Sequence, residues 1–388
     1  MENITKAQLI LVGGRAAVPN ILTVIHQKPQ VVIAVCSKES QPDFPKLKEA
    51  INKILPDCIV EETTNSVDAF APDDIKIQCE QALQKYPKAK WIFNITAATT
   101  IMSIVAYEVA KSYQQTCWYL NTSQARIVTL SGQKGDESVF NITVDQYVTA
   151  YNRELIPGDL EDRRSQSEVQ WLPFACTLGQ NPHYATTLKY VMSKVGKDKK
   201  GRPSKSETKE YILQNAPDEA YMLLTAAKQV GLLEDCWQDK FGNIIFQLSY
   251  LQDKFLNGAW LEAYVWYQAK SIGIFQDHQW NQRVIEGKSK NELDVSMIYK
   301  AQLIIVECKT GEEAFESDTL YKLDSVANIF GGRFVGRLLV TSLYEKKPSQ
   351  DFLAQADSRR IVVVTGEKLP YITTILEKEA KDPTYPRI

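Results

Sequence analysis

Asn291–Gly311 reads NELDVSMIYKAQLIIVECKTG, and this stretch decides the fold of the C-terminal half. Leu303–Val306 is a short, largely β-branched apolar run closed by Thr310-Gly311, the pattern of a buried strand and not of a helix. Asp294 begins a preceding strand, Val295–Tyr299, and Lys300-Ala301-Gln302 turns the chain so that the two strands pair as a hairpin. Side chains alternate along a strand, so Glu307 and Lys309 share one face, Cys308 takes the other, and Asp294 comes to lie beside Glu307. Two carboxylates with a backbone carbonyl and waters suit an oxygen-preferring Mg2+ or Mn2+ ion, which polarises a phosphodiester and acidifies a bound water. Lys309 would hold that water or the charge of the transition state.

A third carboxylate comes from the helical stretch Gly258–Tyr267, GAWLEAYVWY, in which Glu262 is the only charge among apolar and aromatic residues. A carboxylate in such surroundings is costly unless something pairs with it, which assigns Glu262 to the same metal site.

Composition bounds the remaining possibilities. A chain of 388 residues is too long for one core and points to two or three domains. With 44% hydrophobic and 24% charged residues it reads as an ordinary soluble protein, without an apolar run of membrane-spanning length. The start, MENITK, has no signal-peptide character, so a cytoplasmic location is expected. Seven cysteines without a Cys-x-x-Cys pair and three widely spaced histidines argue for buried thiols and against a zinc site. A net charge of −2 requires any nucleic-acid contact to come from local basic patches.

The N-terminal part alternates strand and helix patterns. Strands are expected at Gln8–Val12, Val31–Cys36, Cys58–Val60, Trp91–Ile95 and Cys117–Leu120, with helices at Pro19–His26, Pro45–Ile54, Ala71–Lys85 and Thr99–Tyr113. This order implies a parallel, doubly wound sheet, which binds ligands outside the carboxyl ends of its strands. Those ends carry Gly13-Gly14-Arg15, Ser37-Lys38 and the segment Asn94–Thr100, a set of hydroxyls, backbone N–H groups and one guanidinium that suits a phosphate-bearing ligand. Neither Gly-x-Gly-x-x-Gly nor a Walker-type loop occurs, so a dinucleotide cofactor or ATP is not indicated.

Glu262, Asp294 and Glu307-x-Lys309 together resemble the PD-(D/E)xK restriction-endonuclease-like superfamily, with Glu292-Leu293 standing where a Pro often precedes the Asp. Joined to Gly-Gly-Arg after the first strand and Asn-x-Thr-x-x-Thr before a helix, the pattern resembles the CRISPR-associated Rossmann fold (CARF) nucleases of type III CRISPR systems over nearly the whole chain. The resemblance implies an α/β protein in three parts: a doubly wound CARF domain over 1–150, a linker and small winged-helix-like module over 151–250, and a nuclease domain over 251–388. It implies a homodimer whose CARF domains bind a cyclic oligoadenylate, cyclic tetra-adenylate first among them, and switch on metal-dependent cleavage of DNA or RNA in antiviral defence. On that reading Gly13, Gly14, Arg15, Ser37, Asn94, Thr96, Ala97 and Thr99 form the ligand edge. Glu262, Asp294 and Glu307 hold Mn2+ or Mg2+, and Lys309 completes the catalytic set. Ala97-Ala98-Thr99-Thr100 stands where the family often has Gly-Gly-Thr-Lys, which removes a phosphate-binding Lys. The alternatives are a restriction- or junction-type nuclease without messenger gating, and a nuclease-inactive ligand sensor that regulates by binding DNA.

Between the domains, Asn152–Trp171 is polar and reads as a linker, and Lys194–Lys209 reads as a mobile basic loop able to reach a phosphate backbone. Pro217–Val230 and a hairpin turning at Gly242-Asn243 supply the winged-helix-like module. Glu312–Phe330 reads as a helix stopped by Gly331-Gly332, with Lys322 and Arg333 available to phosphate, and Arg337–Thr341 and Ile361–Val364 as further strands.

Overall fold

The computed structural model describes residues 4–13, 18–121, 126–132, 141–157, 167–197, 201–286, 289–344 and 346–387. Contacts divide the chain into two compact units, one of residues up to Leu155 with Ile298–Leu303, the other of Ile156–Met297 with Ile304–Arg387.

The first unit runs β1 (Lys6–Val12), α1 (Val18–Gln27), β2 (Val31–Cys36), α2 (Phe44–Ile54), β3 (Ile59–Glu62), α3 (Pro72–Lys85), β4 (Lys90–Asn94), α4 (Thr100–Ser112), β5 (Thr116–Asn121), β6 (Arg126–Ser131) and α5 (Val144–Ala150). The sheet order is β3-β2-β1-β4-β5-β6, parallel as far as β5 and closed by antiparallel β6. All six residues of β2 are buried, which is why its sequence, VVIAVC, is apolar without alternation: a parallel strand covered on both faces has no wet side. The strand order reverses at β1, between β2 and β4, so the carboxyl ends of β1 and β4 open onto a common crevice. Gly13 closes that corner. Its N–H donates to the Ala97 carbonyl at 2.9 Å, and a Cβ there would stand 2.9 Å from Ala98 Cα and 3.0 Å from Thr99 N.

The rest of the chain supplies β7 (Glu154–Pro157), α6 (Ser167–Gln180), α7 (Pro182–Lys197), β8 (Thr208–Leu213), α8 (Asp218–Gln229), β9 (Cys236–Gln238), β10 (Ile244–Ser249), α9 (Tyr250–Lys254), α10 (Trp260–Ile272), β11 (Asp277–Glu286), β12 (Ser289–Tyr299), β13 (Gln302–Lys309), α11 (Ser317–Ile329), β14 (Gly336–Thr341), α12 (Gln350–Ser358), β15 (Ile361–Val364) and α13 (Ile372–Lys381). They form a small antiparallel sheet, β8-β10-β9, and a mixed sheet, β15-β14-β13-β12-β11-β7. In the mixed sheet β13 is buried along nearly its whole length, and β14 is buried at every position.

Three expectations change. Asp294 lies in the middle of an eleven-residue β12 rather than at a strand start, because the polar positions Lys290 to Glu292 pair as strand too. The linker assigned to Asn152–Trp171 contains β7, ELIP, a short strand whose Pro157 suits its place at the edge of a sheet, and α6 begins inside its last residues; its charges Asp159–Arg164 lie outside the described residues. The basic Lys194–Lys209 segment is a loop only in its middle: Lys194 and Lys197 sit on the last turn of α7, Lys209 is the second residue of β8, and Lys199 and Lys200 lie outside the described residues. Within it, Arg202 ion-pairs with buried Asp253 at 2.6 Å.

Helix α6 packs on α10 through Gly179, where a Cβ would fall 2.3 Å from the Tyr264 ring. The Tyr264 hydroxyl donates to the Leu369 carbonyl at 3.0 Å, so α10 is gripped from two sides one helical half-turn from Glu262. No helix among the described residues is long and apolar enough to cross a membrane.

Candidate active site

The hairpin of β12 and β13 places the two central carboxylates. Lys300 and Ala301 both take left-handed backbone, φ 48° and 59°, the geometry that a two-residue hairpin turn matched to strand twist requires. The turn brings the Asp294 side chain to β13, where its Oδ2 accepts the backbone N–H of Cys308 at 2.7 Å. Asp294 and Glu307 are each only 4% exposed. Glu307 Oε1 is gripped by two ammonium groups, Lys309 Nζ at 2.7 Å and Lys322 Nζ at 3.0 Å, the second delivered by α11. Glu262, half-buried on α10, accepts the indole N–H of Trp280 at 3.2 Å.

Electrostatics ties these groups together. Burial first, then the Glu307 charge, pushes the Asp294 carboxyl up to about 7, against the opposing pull of Lys309. Burial, followed by the charges of Asp294 and Glu292, holds Glu262 well above the usual carboxylate range. Burial would lower Lys309, but the Glu307 and Asp294 charges outweigh it and raise the ammonium above its ordinary value.

The donor chemistry fits a hard divalent cation: Asp294, Glu307 and Glu262 offer only oxygens, and the mutual repulsion felt by Asp294 is what such a cation relieves. Among the described residues no three His, Cys, Asp or Glu side chains are gathered tightly enough to ligate one ion by themselves, so main-chain carbonyl and water oxygens have to complete a shell. Beside the carboxylates lies a cleft of about 380 Å³, lined among others by Glu262, Asn281, Arg283, Glu292, Lys309 and Glu313. Sequence reasoning missed Trp280, Asn281 and Arg283 because β11 as a whole went unrecognised; DHQWNQRVIE shows no alternation, and its one signal is an aromatic set among hydrogen-bonding side chains. Arg202 also bonds Asn257 Oδ1 at 3.0 Å, fixing a second wall of the cleft.

At the N-terminal crevice the structure brings Gly13, Thr96, Ala97 and Thr99 together, while Gly14 and Arg15 lie outside the described residues. Asn94, expected on the ligand edge, is tied into the scaffold. It is fully buried, its amide donates to Asn20 Oδ1 at 2.8 Å and Thr23 Oγ1 at 3.0 Å, and its Oδ1 accepts the Thr96 hydroxyl at 2.7 Å. Ser37 is likewise buried, with its Oγ 3.0 Å from that of Ser40, and Ala97 is buried and offers its carbonyl to Gly13. Thr99 caps α4, accepting the Met102 N–H at 3.3 Å, and remains half-buried at the crevice.

Two family models match the chain: one described as the Card1 CARF domain over residues 10–147, and one as the Card1-like endonuclease domain over residues 250–382. No curated protein sequence matches it. Similar solved structures include protein VC1899 from Vibrio cholerae, at 20% identity and TM-score 0.78 over 98% of this chain and 99% of that one. Can2 from Sulfobacillus thermosulfidooxidans, in complex with cyclic tetra-adenylate, aligns at 20% identity and TM-score 0.68 over 96% and 97%. A type III CRISPR defence DNA nuclease activated by cyclic oligoadenylate aligns at 14% identity and TM-score 0.57 over 99% of this chain and 53% of that chain. At such identities the structures speak for the fold, and the two family models speak for the domains: the chain belongs to the CARF nucleases, joining a Card1-type CARF domain to a Card1-like endonuclease domain.

Proposed function

We propose that this protein is a cyclic oligoadenylate-activated, metal-dependent nuclease of type III CRISPR defence, acting as a homodimer on nucleic-acid phosphodiesters. The observation that carries the reading is the convergence of Asp294, Glu307 and Lys309 on one hairpin inside the matched endonuclease domain, with Glu262 beside the same cleft. Cyclic tetra-adenylate is the first candidate messenger, because the CARF match covers the crevice at β1 and β4 and Can2 is seen with that ligand.

Asp294, Glu307 and Glu262 would hold Mn2+ or Mg2+, which when bound supplies Lewis acidity to the scissile phosphate and to the attacking water. Lys309, positioned by Glu307 and kept charged by its neighbours, presents an ammonium for orienting that water or countering the charge that builds on the phosphate. Trp280 fixes the Glu262 carboxylate so that its free oxygen points along a defined direction. In the CARF domain, Gly13 keeps the β1 corner thin, and Thr99 at the start of α4 leaves helix N–H groups facing the crevice, where Gly14 and Arg15 would add a main-chain donor and a guanidinium for phosphate.

Labelled single- and double-stranded DNA and RNA, incubated with Mn2+ or Mg2+ and with cyclic oligoadenylates of different ring size, test the reading directly. Cleavage that requires both metal and one ring size supports it. Cleavage at full rate without messenger leaves an ungated nuclease, and no cleavage under any combination overturns it.

A further inference from the structure

Asn281 is a buried polar side chain at the cleft whose placement neither the proposed metal site nor the lysines account for. It lies on β11, only 4% exposed, and lines the cleft between Glu262 and Lys309. Its Nδ2 is buried and has no hydrogen-bond partner among the described residues. Leaving a buried amide N–H unpaired costs enough that native structures do so where something else completes the bond.

The backbone points the same way. Asn281 has φ 51°, left-handed conformation in the interior of a ten-residue strand. Asn tolerates that region better than most residues, but it still carries strain, which folds keep at functional positions. Trp280, Asn281 and Gln282 are buried in succession. Trp280 reaches Glu262, while Asn281 and Arg283 line the same cleft.

We infer that Asn281 is a substrate-binding residue whose Nδ2 donates to a non-bridging phosphate oxygen of the nucleic-acid strand lying in the cleft. A phosphodiester fits the site for a chemical reason: the amide is a donor only where an acceptor is supplied, and the three central carboxylates are already held, Glu262 by Trp280, Asp294 by the Cys308 N–H and Glu307 by the two lysines. This assignment rests on the nuclease reading but is tested apart from it.

The test uses full-length protein, a fluorescein-labelled single-stranded DNA oligonucleotide and an RNA of the same sequence, with Ca2+ in place of the activating metal so that binding is read by anisotropy without cleavage. Asn281→Gly keeps the backbone conformation, since Gly takes positive φ freely, and deletes the amide. Asn281→Asp keeps the shape and removes the donor. Both are expected to weaken binding about ten- to a hundredfold, the range for a hydrogen bond to a charged group, while the thermal midpoint of the Gly variant stays at or above wild type. DNA with methylphosphonate linkages, which lack one charged oxygen, should lose more affinity for wild type than for the Gly variant, whose amide contact is already gone. Unchanged affinity in the Gly variant, an equal methylphosphonate penalty in both proteins, or a weakened affinity that tracks a lowered thermal midpoint overturns the assignment, as does failure of wild type to bind either oligonucleotide. Cleavage lost in Glu307→Gln but present in wild type reports on the nuclease reading alone, so the two can fail separately.

Discussion

Replacing Asp294 by Asn should make the metal-free protein more stable at alkaline pH while destroying its capacity to hold a cation. Burial and the Glu307 charge raise the Asp294 carboxyl from 3.8 to about 7. Because the folded value lies above the unfolded one, the stability contributed by the protonated carboxyl is fully present below about pH 4 and is lost as pH rises through about 7. A shift of roughly three units, at about 1.36 kcal/mol each, corresponds to a folded state destabilised by up to about 4 kcal/mol once the group is forced to ionise. The Asn variant stays neutral throughout, and its amide oxygen can still accept the Cys308 N–H that Asp294 accepts at 2.7 Å. Denaturant unfolding in EDTA should therefore give matching stabilities for wild type and variant near about pH 4, and a variant more stable by a few kcal/mol near about pH 8. A variant no more stable than wild type at the higher pH would refute the claim that Asp294 sits as a strained, repelled carboxylate.

Three further outcomes follow from the same geometry. Glu307→Gln should lower cleavage by at least about a hundredfold while calorimetry shows cyclic tetra-adenylate binding unchanged; near wild-type cleavage would remove Glu307 from the site. Lys322→Ala takes away one of the two ammonium groups on Glu307 Oε1, so Mn2+ titrated into the variant should bind several-fold more tightly, and an unaltered affinity would show that the ion pair does not compete with the metal. Gly179→Ala places a methyl 2.3 Å from the Tyr264 ring and should cost about 1–3 kcal/mol, read as a drop of several degrees in the thermal midpoint; an unshifted midpoint would mean α6 and α10 are not in rigid contact.

Much of the fold was legible because period and burial coincide. VVIAVC, LIIV and IVVV announce buried strands, and the matching ranges Val31–Cys36, Gln302–Lys309 and Ile361–Val364 emerge in the structure. The elements that escaped are those whose residues serve edges or polar sites. Strand β6, RIVTLS, is exposed at alternate positions, β7 is a four-residue edge strand, and β11 is interrupted by left-handed backbone at Asn281. The central carboxylates could be read from spacing, since a strand fixes Glu307 and Lys309 on one face whatever the rest of the protein does. Lys322, Trp280 and Asn281 reach the site through tertiary packing from α11 and β11, and nothing in local sequence orients them. The partners of Asn94 were not legible either: a polar residue at a strand end reads as exposed, yet here it ties β4 to α1 through Asn20 and Thr23.

The site's charges also bear on how the proposed metal and substrate would share its lysines. Without metal, Glu307 is neutralised by Lys309 and Lys322, and Asp294 holds its proton to neutral pH, so the buried carboxylates are balanced internally. A divalent cation held by Asp294, Glu307 and Glu262 would take over that balancing role. Asp294 and Glu262, both raised above the usual carboxylate range, would then have to release their protons, so metal affinity should rise with pH through about 7. The two ammonium groups, no longer needed by Glu307 alone, would become available to a phosphate. Proton uptake in place of release when Mn2+ is titrated in below neutral pH would refute this account.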